Sequence, residues 1–299
     1  MGILVYLVGL PASGKSTRCK YYEEHGFKIF SSDAIRAEIY GDESEEGNPQ
    51  KVFQILHKRI KEALKDGYDC VYDATNVVAK RRIAFLKEIK NIPCNKICEV
   101  VWAPYETCLS RNKVRERKVP EYVIERMYHQ FQTPYYFEGW DKINVYYSKT
   151  MSFEDKFVVI DSFTGFDQKN SHHKLSLSDH MHKASSFVDF NDKALYYATR
   201  FHDIGKVKTQ TFYNKKGELS KEAHYYSHHN VGGYDSIGFL NEFGELEAPE
   251  VLEASALICY HMEPYFWKND KIKVKYELLW GDIFFGKIME LHKADEKAH

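Results

Sequence analysis

The sequence predicts two domains: a parallel α/β sheet with flanking helices and a helical lid over residues 1–164, then an all-α domain over residues 165–299. Three observations carry this prediction. Up to about residue 150, short β-rich runs alternate with stretches of helical spacing, as in a parallel sheet with crossover helices. A glycine-rich motif, Gly9-Leu-Pro-Ala-Ser-Gly14-Lys15-Ser16-Thr17, stands where the first strand gives way to the first helix. Beyond residue 170 the strand signal fades into long helical runs, and 11 of the 14 histidines lie there.

Taken in order, Ile3 to Val8, Lys28 to Phe30, Cys70 to Tyr72 and Ile97 to Trp102 read as strands. Lys15 to Glu24, Asp33 to Tyr40, Pro49 to Asp66 and Lys80 to Ile89 read as the helices between them. In the third of these helices Val52, Ile55, Leu56, Ile60 and Leu64 recur at three and four. Asn144 to Tyr147 and Phe157 to Ile160 read as two last strands flanking an acidic turn, and the Gly/Asn/Ser-rich passage Ser162 to Ser171 marks the boundary. The acidic piece Asp42 to Glu46 reads as a solvated loop. After the boundary, Asn191 to Phe201, Pro249 to Tyr260 and Tyr276 to Ala298 read as long helices.

Hydrophobic residues make up 43% of the chain, enough to build cores and to exclude generic disorder. The formal charge of −1 leaves no bulk field to gather a polyanion, so such a partner needs a local basic surface. None of the six cysteines (Cys19, Cys70, Cys94, Cys98, Cys108 and Cys259) forms a CxxC knuckle, so they read as reduced packing residues. With no signal peptide and no long apolar span, the expectation is a soluble, cytoplasmic protein without a membrane partner.

Gly9 to Thr17 matches GxxxxGK[ST] in the strand-turn-helix setting that motif requires. Gly9, Ser13 and Gly14 let backbone amides curl around phosphate oxygens, and the helix N-terminus adds partial positive charge. Lys15 reaches the β/γ-phosphates, Ser16 offers a hydroxyl to Mg²⁺, and Thr17 completes the motif; the ligand this predicts is ATP or GTP with Mg²⁺. After the second strand, Asp33 begins a helix with Arg36 one turn on. An Asp so placed can take the proton of an acceptor hydroxyl while the Arg holds an acceptor anion; an Asp N-cap beside a surface Arg is the competing reading. Asp73, at the carboxyl edge of the third strand, can orient Mg²⁺ or its waters, or simply start a turn. Arg111 and Arg115, four apart, would share a helical face as an arginine lid over transferring phosphates, while Lys113, Arg117, Lys118 and Arg126 read as a solvated basic surface.

In order and spacing, GLPASGKST, SSDAIR, DATN and Arg111-Asn-Lys-Val-Arg115 followed by Val119-Pro120 resemble the 5′-kinase domain of phage-type polynucleotide kinases over about residues 1 to 145. The resemblance implies an α/β P-loop kinase fold with Lys15 and Ser16 on the donor and metal, and Asp33 as general base toward a polynucleotide 5′-OH. It further implies Arg36 on the adjacent acceptor phosphate, and Arg111 and Arg115 on the donor.

In the second half, His202-Asp203-Ile-Gly-Lys206 ends a helix, His180 lies upstream and Asp295 sits near the end of the last helix. Imidazole and carboxylate groups gathered from separate helices suit Mn²⁺, Fe²⁺, Co²⁺, Ni²⁺ or Zn²⁺, which activate water and polarise phosphoryl oxygens. The arrangement resembles the HD phosphohydrolase family over about residues 165 to 299, and the resemblance implies that His180, His202, Asp203 and Asp295 hold one metal. Members with two metals use further histidines, for which His229 fits better than His228, and His261 is also available. Lys206 is expected on a substrate phosphate, while His172, His173, His182, His224 and His292 read as structural or supporting.

Together these resemblances imply an RNA end-healing enzyme that phosphorylates a 5′-OH end and removes a 2′,3′-cyclic, 2′- or 3′-phosphate. RNA ends are the favoured partner, with an RNA ligase acting on the healed products. Two alternatives stand beside it: a small-molecule kinase fused to an HD nucleotidase, and a nucleotide-gated sensor whose HD half binds without hydrolysing.

Overall fold

The structure is a computed structural model that describes residues 1–42, 47–170 and 174–299. Residues 43–46 of the acidic piece lie outside the described residues, as do Ser171, His172 and His173. The chain forms two compact units, Met1–Glu125 with Pro134–Lys149 and Arg126–Thr133 with Thr150–His299.

In the first unit β1 (Gly2–Val8), α1 (Lys15–Glu24), β2 (Lys28–Ser31), α2 (Ser32–Tyr40), α3 (Pro49–Lys65), β3 (Cys70–Asp73), α4 (Ala79–Glu88), β4 (Cys94–Trp102), α5 (Tyr105–Val114), α6 (Glu121–His129, shared with the second unit) and β5 (Lys142–Tyr147) follow one another. The five strands form one parallel sheet in the order β2-β3-β1-β4-β5. Alternation along β1 sends Val5 and Leu7 to one face, where they pack with Val71 and Val101. Tyr6 goes to the other face, its ring 4.3 Å from that of Tyr72 and 5.2 Å from that of Trp140. α3 is held at its start by the Asn48 side chain, which accepts from the Gln50 and Lys51 amides, and it buries Val52, Leu56, Ile60 and Leu64. Arg82 is buried on the same scaffold with its fork on Glu138 at 2.8 and 2.6 Å, and Trp140 donates to that carboxylate at 2.9 Å.

The second unit comprises α7 (Phe153–Phe163), α8 (Leu177–Ser185), α9 (Lys193–Phe201), α10 (Lys206–Thr209), β6 (Gln210–Tyr213), β7 (Leu219–Tyr225), α11 (His228–Phe243), α12 (Ala248–Tyr260), α13 (Glu263–Phe266) and α14 (Asp270–Ala298). α12 packs on α11 and α9, and α14 on α8. Segment 126–133 belongs here because Tyr128 donates to Asp235 at 2.6 Å and the His129 carbonyl accepts from Asn230 at 2.8 Å. Partners about a hundred residues away in the chain give a local reading no hint of this.

Three expectations are corrected. Phe157 to Ile160 is not a strand but part of α7. Its β-branched run loses to a capping box, in which Ser152 accepts from the Asp155 amide and Asp155 from the Ser152 amide, and its less exposed residues Lys156, Val159, Ile160 and Phe163 follow helical spacing. The second unit is not all-α: β6 and β7 pair as an antiparallel hairpin, closed by the Asn214–Glu218 turn with Gly217 at φ 80°. The run read as Tyr276 to Ala298 starts earlier, at Asp270, where the Asn269 side chain caps it, and it breaks at Gly281 (φ 71°, ψ 163°). Among the described residues, no helix is long and apolar enough to cross a membrane.

Candidate functional site

Each unit carries its own candidate centre. In the first, the adjacent strands β2, β3 and β1 bring Ser31, Asp73 and Gly9 to one sheet edge at their carboxyl ends, with Ser31 in register with Asp73. Gly9 has no room for a side chain, because a Cβ there would lie 2.5 Å from the Val101 carbonyl oxygen. α1 begins after Gly14 with no side-chain cap and no acid in its first turn, so its leading amides remain available to an anion. Lys15 Nζ donates to the Gly9 and Leu10 carbonyls at 3.0 and 2.7 Å, lying over the loop as phosphate oxygens would require. Burial lowers the Lys15 pKa and raises that of Asp73, and each partly offsets the shift of the other by its charge. Ser16 and Thr17 remain exposed at the helix start.

Asp33 does not cap α2. The cap is Ser31, whose hydroxyl accepts from the Asp33 amide at 3.2 Å, which leaves the Asp33 carboxylate for other partners. One oxygen accepts from Arg36 at 2.6 Å, as their i,i+3 spacing predicts, and the other accepts from Arg117 at 2.5 Å. Arg117, read from sequence as a solvated charge, is thus a missed partner of the candidate base; its link to Asp33 spans 84 residues and has no local signal.

The predicted lid pair is only half present on one face. α5 ends at Val114 and Arg115 is already extended (φ −79°, ψ 155°), so the four-residue spacing no longer puts Arg111 and Arg115 on a common helical face. Arg111 instead donates to the Ser148 hydroxyl at 2.9 Å and to its carbonyl at 3.2 Å, and the Ser148 hydroxyl donates to the carbonyl of Ser13 in the phosphate loop.

In the second unit, His180 on α8, His202 capping α9, Asp203 beside it and Asp295 on α14 converge. His180 Nε2 lies 3.0 Å from Asp295 Oδ1, 3.2 Å from His202 Nε2 and 3.7 Å from Asp203 Oδ2. His202 Nε2 is 3.4 Å from both Asp203 Oδ2 and Asp295 Oδ1. Donors that each lie about 2.0–2.2 Å from one ion are spaced in this way. The other oxygen of Asp203 faces His228 Nε2 at 3.2 Å and His261 Nε2 at 3.7 Å.

The donor chemistry fits a metal. His202, His228 and His261 each turn Nδ1 onto the carbonyl three residues earlier (Thr199, Tyr225 and Ile258) at 2.8, 2.8 and 2.7 Å. A carbonyl only accepts, so Nδ1 carries a proton and Nε2 is the nitrogen turned to the cluster, where an ion would take the place of a second proton. His228 Nε2, His261 Nε2 and Asp295 Oδ1 are buried without a hydrogen-bond partner, an arrangement that is costly unless a cation joins them. Burial pulls the His202 pKa down, but Asp203 and Asp295 outweigh it and raise the value to about 10. Both carboxylates are held well below their usual range, against burial, by Lys206 and His202 for Asp203 and mainly by His202 and His180 for Asp295.

The structure brings His228, not His229, against Asp203. The turn into α11 aims the first imidazole at the cluster and leaves the His229 ring 6.4 Å from that of His261 and 6.3 Å from that of Phe266. Lys206 Nζ is held by Asp203 at 2.6 Å and by Gln168 at 2.9 Å, so it faces the cluster rather than solvent. Tyr265 donates to Asp295 Oδ2 at 2.8 Å with the His292 ring packed edge-to-face against its own, centroids 4.5 Å apart, and His299 Nε2 stands 3.6 Å from Asp295 Oδ1. Tyr265 and His299 had no motif to announce them; His299 shares a helix face with Asp295 by i,i+4 spacing.

Residues 4–134 match the model of the family described as an AAA domain. The chain is 30% identical over 145 residues to the L-seryl-tRNA(Sec) kinase of Methanococcus maripaludis, covering 46% of this chain and 56% of that protein. It is 30% identical over 104 residues to the dephospho-CoA kinase of Fusobacterium nucleatum subsp. nucleatum, covering 32% and 54%. The chain therefore spans about half the length of the curated relatives it matches. Among solved structures it is similar to a chain of the Pnkp1/Rnl/Hen1 RNA repair complex at 20% identity, with a TM-score of 0.38 and 42% of each chain covered. The first unit is a parallel-sheet α/β domain of the P-loop kinase type.

Proposed function

We propose that the chain heals polynucleotide ends, RNA foremost. The first unit transfers the γ-phosphate of ATP or GTP to a 5′-OH, and the second, an HD phosphohydrolase, removes a 2′,3′-cyclic, 2′- or 3′-phosphate. The observation that carries the pairing is Asp203, whose two oxygens face two separate sets of imidazoles in a chain that also holds a phosphate loop. In the first unit Lys15 and the α1 amides bind donor phosphates, Ser16 and Asp73 would hold Mg²⁺, and Arg111 offsets charge developing on the transferred group. Asp33 takes the acceptor proton once Arg36 and Arg117 turn from it to the acceptor's own phosphate. In the second unit His180, His202, Asp203 and Asp295 would hold one divalent transition metal, and Asp203 with His228 and His261 a second. The metals would activate water and polarise the phosphoryl group. Lys206, kept in place by Gln168, would neutralise a substrate phosphate oxygen. An RNA ligase consumes the 5′-phosphate and free 3′-OH so made, and is the expected functional partner.

The similarity to dephospho-CoA kinase favours a second reading, in which a small nucleotide is the acceptor and the second unit a nucleotidase. One experiment separates them: an RNA with 5′-OH and 2′,3′-cyclic phosphate ends is incubated with the purified chain, labelled NTP and divalent ions, and its ends are analysed. Labelling of the 5′ end together with release of the 3′-terminal phosphate is the expected result. Labelling of nucleosides or nucleotides alone rejects RNA end healing.

A further inference from the structure

Ser148 lies just past β5, where its amide continues the ladder to the Trp102 carbonyl at 2.9 Å. Its hydroxyl donates to the Ser13 carbonyl and accepts from Arg111 at 2.9 Å, while its own carbonyl accepts a second Arg111 N–H at 3.2 Å. One small side chain therefore joins the phosphate loop to the arginine expected over the donor. The fit on the loop side is tight: Gly14 sits at φ 109°, and a Cβ there would lie 2.8 Å from that of Ser148.

The peptide unit joining Ser13 to Gly14 is planar and trans, so its C=O and N–H point in opposite directions. Tying the C=O outward to Ser148 turns the Gly14 N–H inward, where the amides of such loops meet phosphate oxygens. The same hydroxyl restrains the Arg111 guanidinium, which has several rotatable bonds to lose on ordering. We infer that Ser148 is a positioning residue for the nucleoside triphosphate, fixing the Gly14 amide and Arg111 through one shared set of hydrogen bonds. It touches neither donor nor acceptor, and the inference rests on the kinase reading of the phosphate loop.

The test is equilibrium binding of a fluorescent, non-hydrolysable ATP analogue with Mg²⁺ to the full chain and its variants. Ser148→Ala is expected to weaken binding about tenfold, the loss of one or two hydrogen bonds. Ser148→Thr, which keeps the hydroxyl, should stay within about twofold of the parent by the same reasoning. Because both groups act through one network, Ser148→Ala combined with Arg111→Ala should cost less than the sum of the two single losses. Ser148→Cys, close in size and a weak donor, serves the same purpose if the alanine variant fails to fold. Parental affinity in the Ala and Cys variants, or strictly additive losses, overturns the inference while leaving the kinase reading intact. Absence of saturable binding to the parent, with Lys15→Ala indistinguishable from it, overturns both.

Discussion

The phosphate loop and the histidine–aspartate cluster are built on opposite plans. The first offers a ligand mainly the backbone of nine consecutive residues, Gly9 to Thr17, with side chains for charge and steric clearance. The second takes almost every donor from a side chain, and those side chains come from helix ends as far apart as His180 and Asp295. A backbone site tolerates change at most of its positions and depends on a few; a side-chain site depends on all of its members. The contrast yields predictions of decreasing size.

The largest effect is a crossed loss. Lys15→Ala should reduce phosphoryl transfer by on the order of 10²–10³ while leaving release of 3′-terminal phosphate unchanged. Asp203→Ala, which removes both oxygens shared between the imidazole sets, should abolish phosphate release and spare transfer. End-group analysis of the same RNA with each variant measures both activities, and loss of both in either variant breaks the independence of the two centres.

Next is the way each centre is stabilised. The scaffold under the phosphate loop buries a complete ion pair, Arg82 with Glu138, whereas the cluster buries His228 Nε2, His261 Nε2 and Asp295 Oδ1 without hydrogen-bond partners. Glu138→Ala leaves the buried Arg82 charge without its carboxylate, and should cost about 3–5 kcal/mol in urea unfolding of the first unit. A divalent ion at a hundred times its dissociation constant should add about 2.7 kcal/mol to the second unit. Hydrogen exchange separates the two: the ion should slow the amides of α9 and α12 and leave those of β1 and β4 unchanged.

These two plans also explain what was legible in the sequence. The loop, the β2-to-α2 turn with Asp33 and Arg36, and the His202-Asp203 pair are short-range patterns, and the structure keeps the residues of each together. What escaped was set by tertiary contacts: Arg117 on Asp33, Ser148 on Arg111, Gln168 on Lys206. Two errors came from reading spacing without the ends of elements. Arg115 misses the face of Arg111 because α5 stops one residue earlier, and His229 loses to His228 because the turn into α11 decides which imidazole faces Asp203. The α7 error is of another kind, a β-branched run overruled by its cap.

The choice between adjacent histidines gives a sharper prediction than the loss of an entire site. His228→Ala should lower affinity for the ion between Asp203, His228 and His261 by at least the 10–100-fold typical of outer-sphere changes, because a donor itself is removed. His229→Ala should retain that ion. Metal content after dialysis, read by plasma mass spectrometry, checks the pair. Equal losses in both variants would mean that the bound ion draws His229 into the set.

The smallest effect sets a half-buried imidazole, His57, against a fully buried one, His202. Asp203 and Asp295 raise the pKa of His202, whereas the ring nitrogens of His57 in the first unit face Glu88, at 3.1 Å, and Tyr72, at 3.0 Å. Burial therefore prevails and holds the His57 pKa below its usual value, with Glu88 opposing. The unfolded chain then takes up the proton before the folded one does. The contribution of His57 to stability is accordingly full above about pH 6.5, and it is lost as pH falls through the lower folded-state value. His57→Gln keeps a partner for Tyr72 and removes the titration. Between pH 7.5 and 5.5 its melting temperature should fall less than that of the parent. Every other group is common to both proteins and cancels in that difference, so an unchanged slope would mean that His57 takes up its proton without cost and that burial does not govern it.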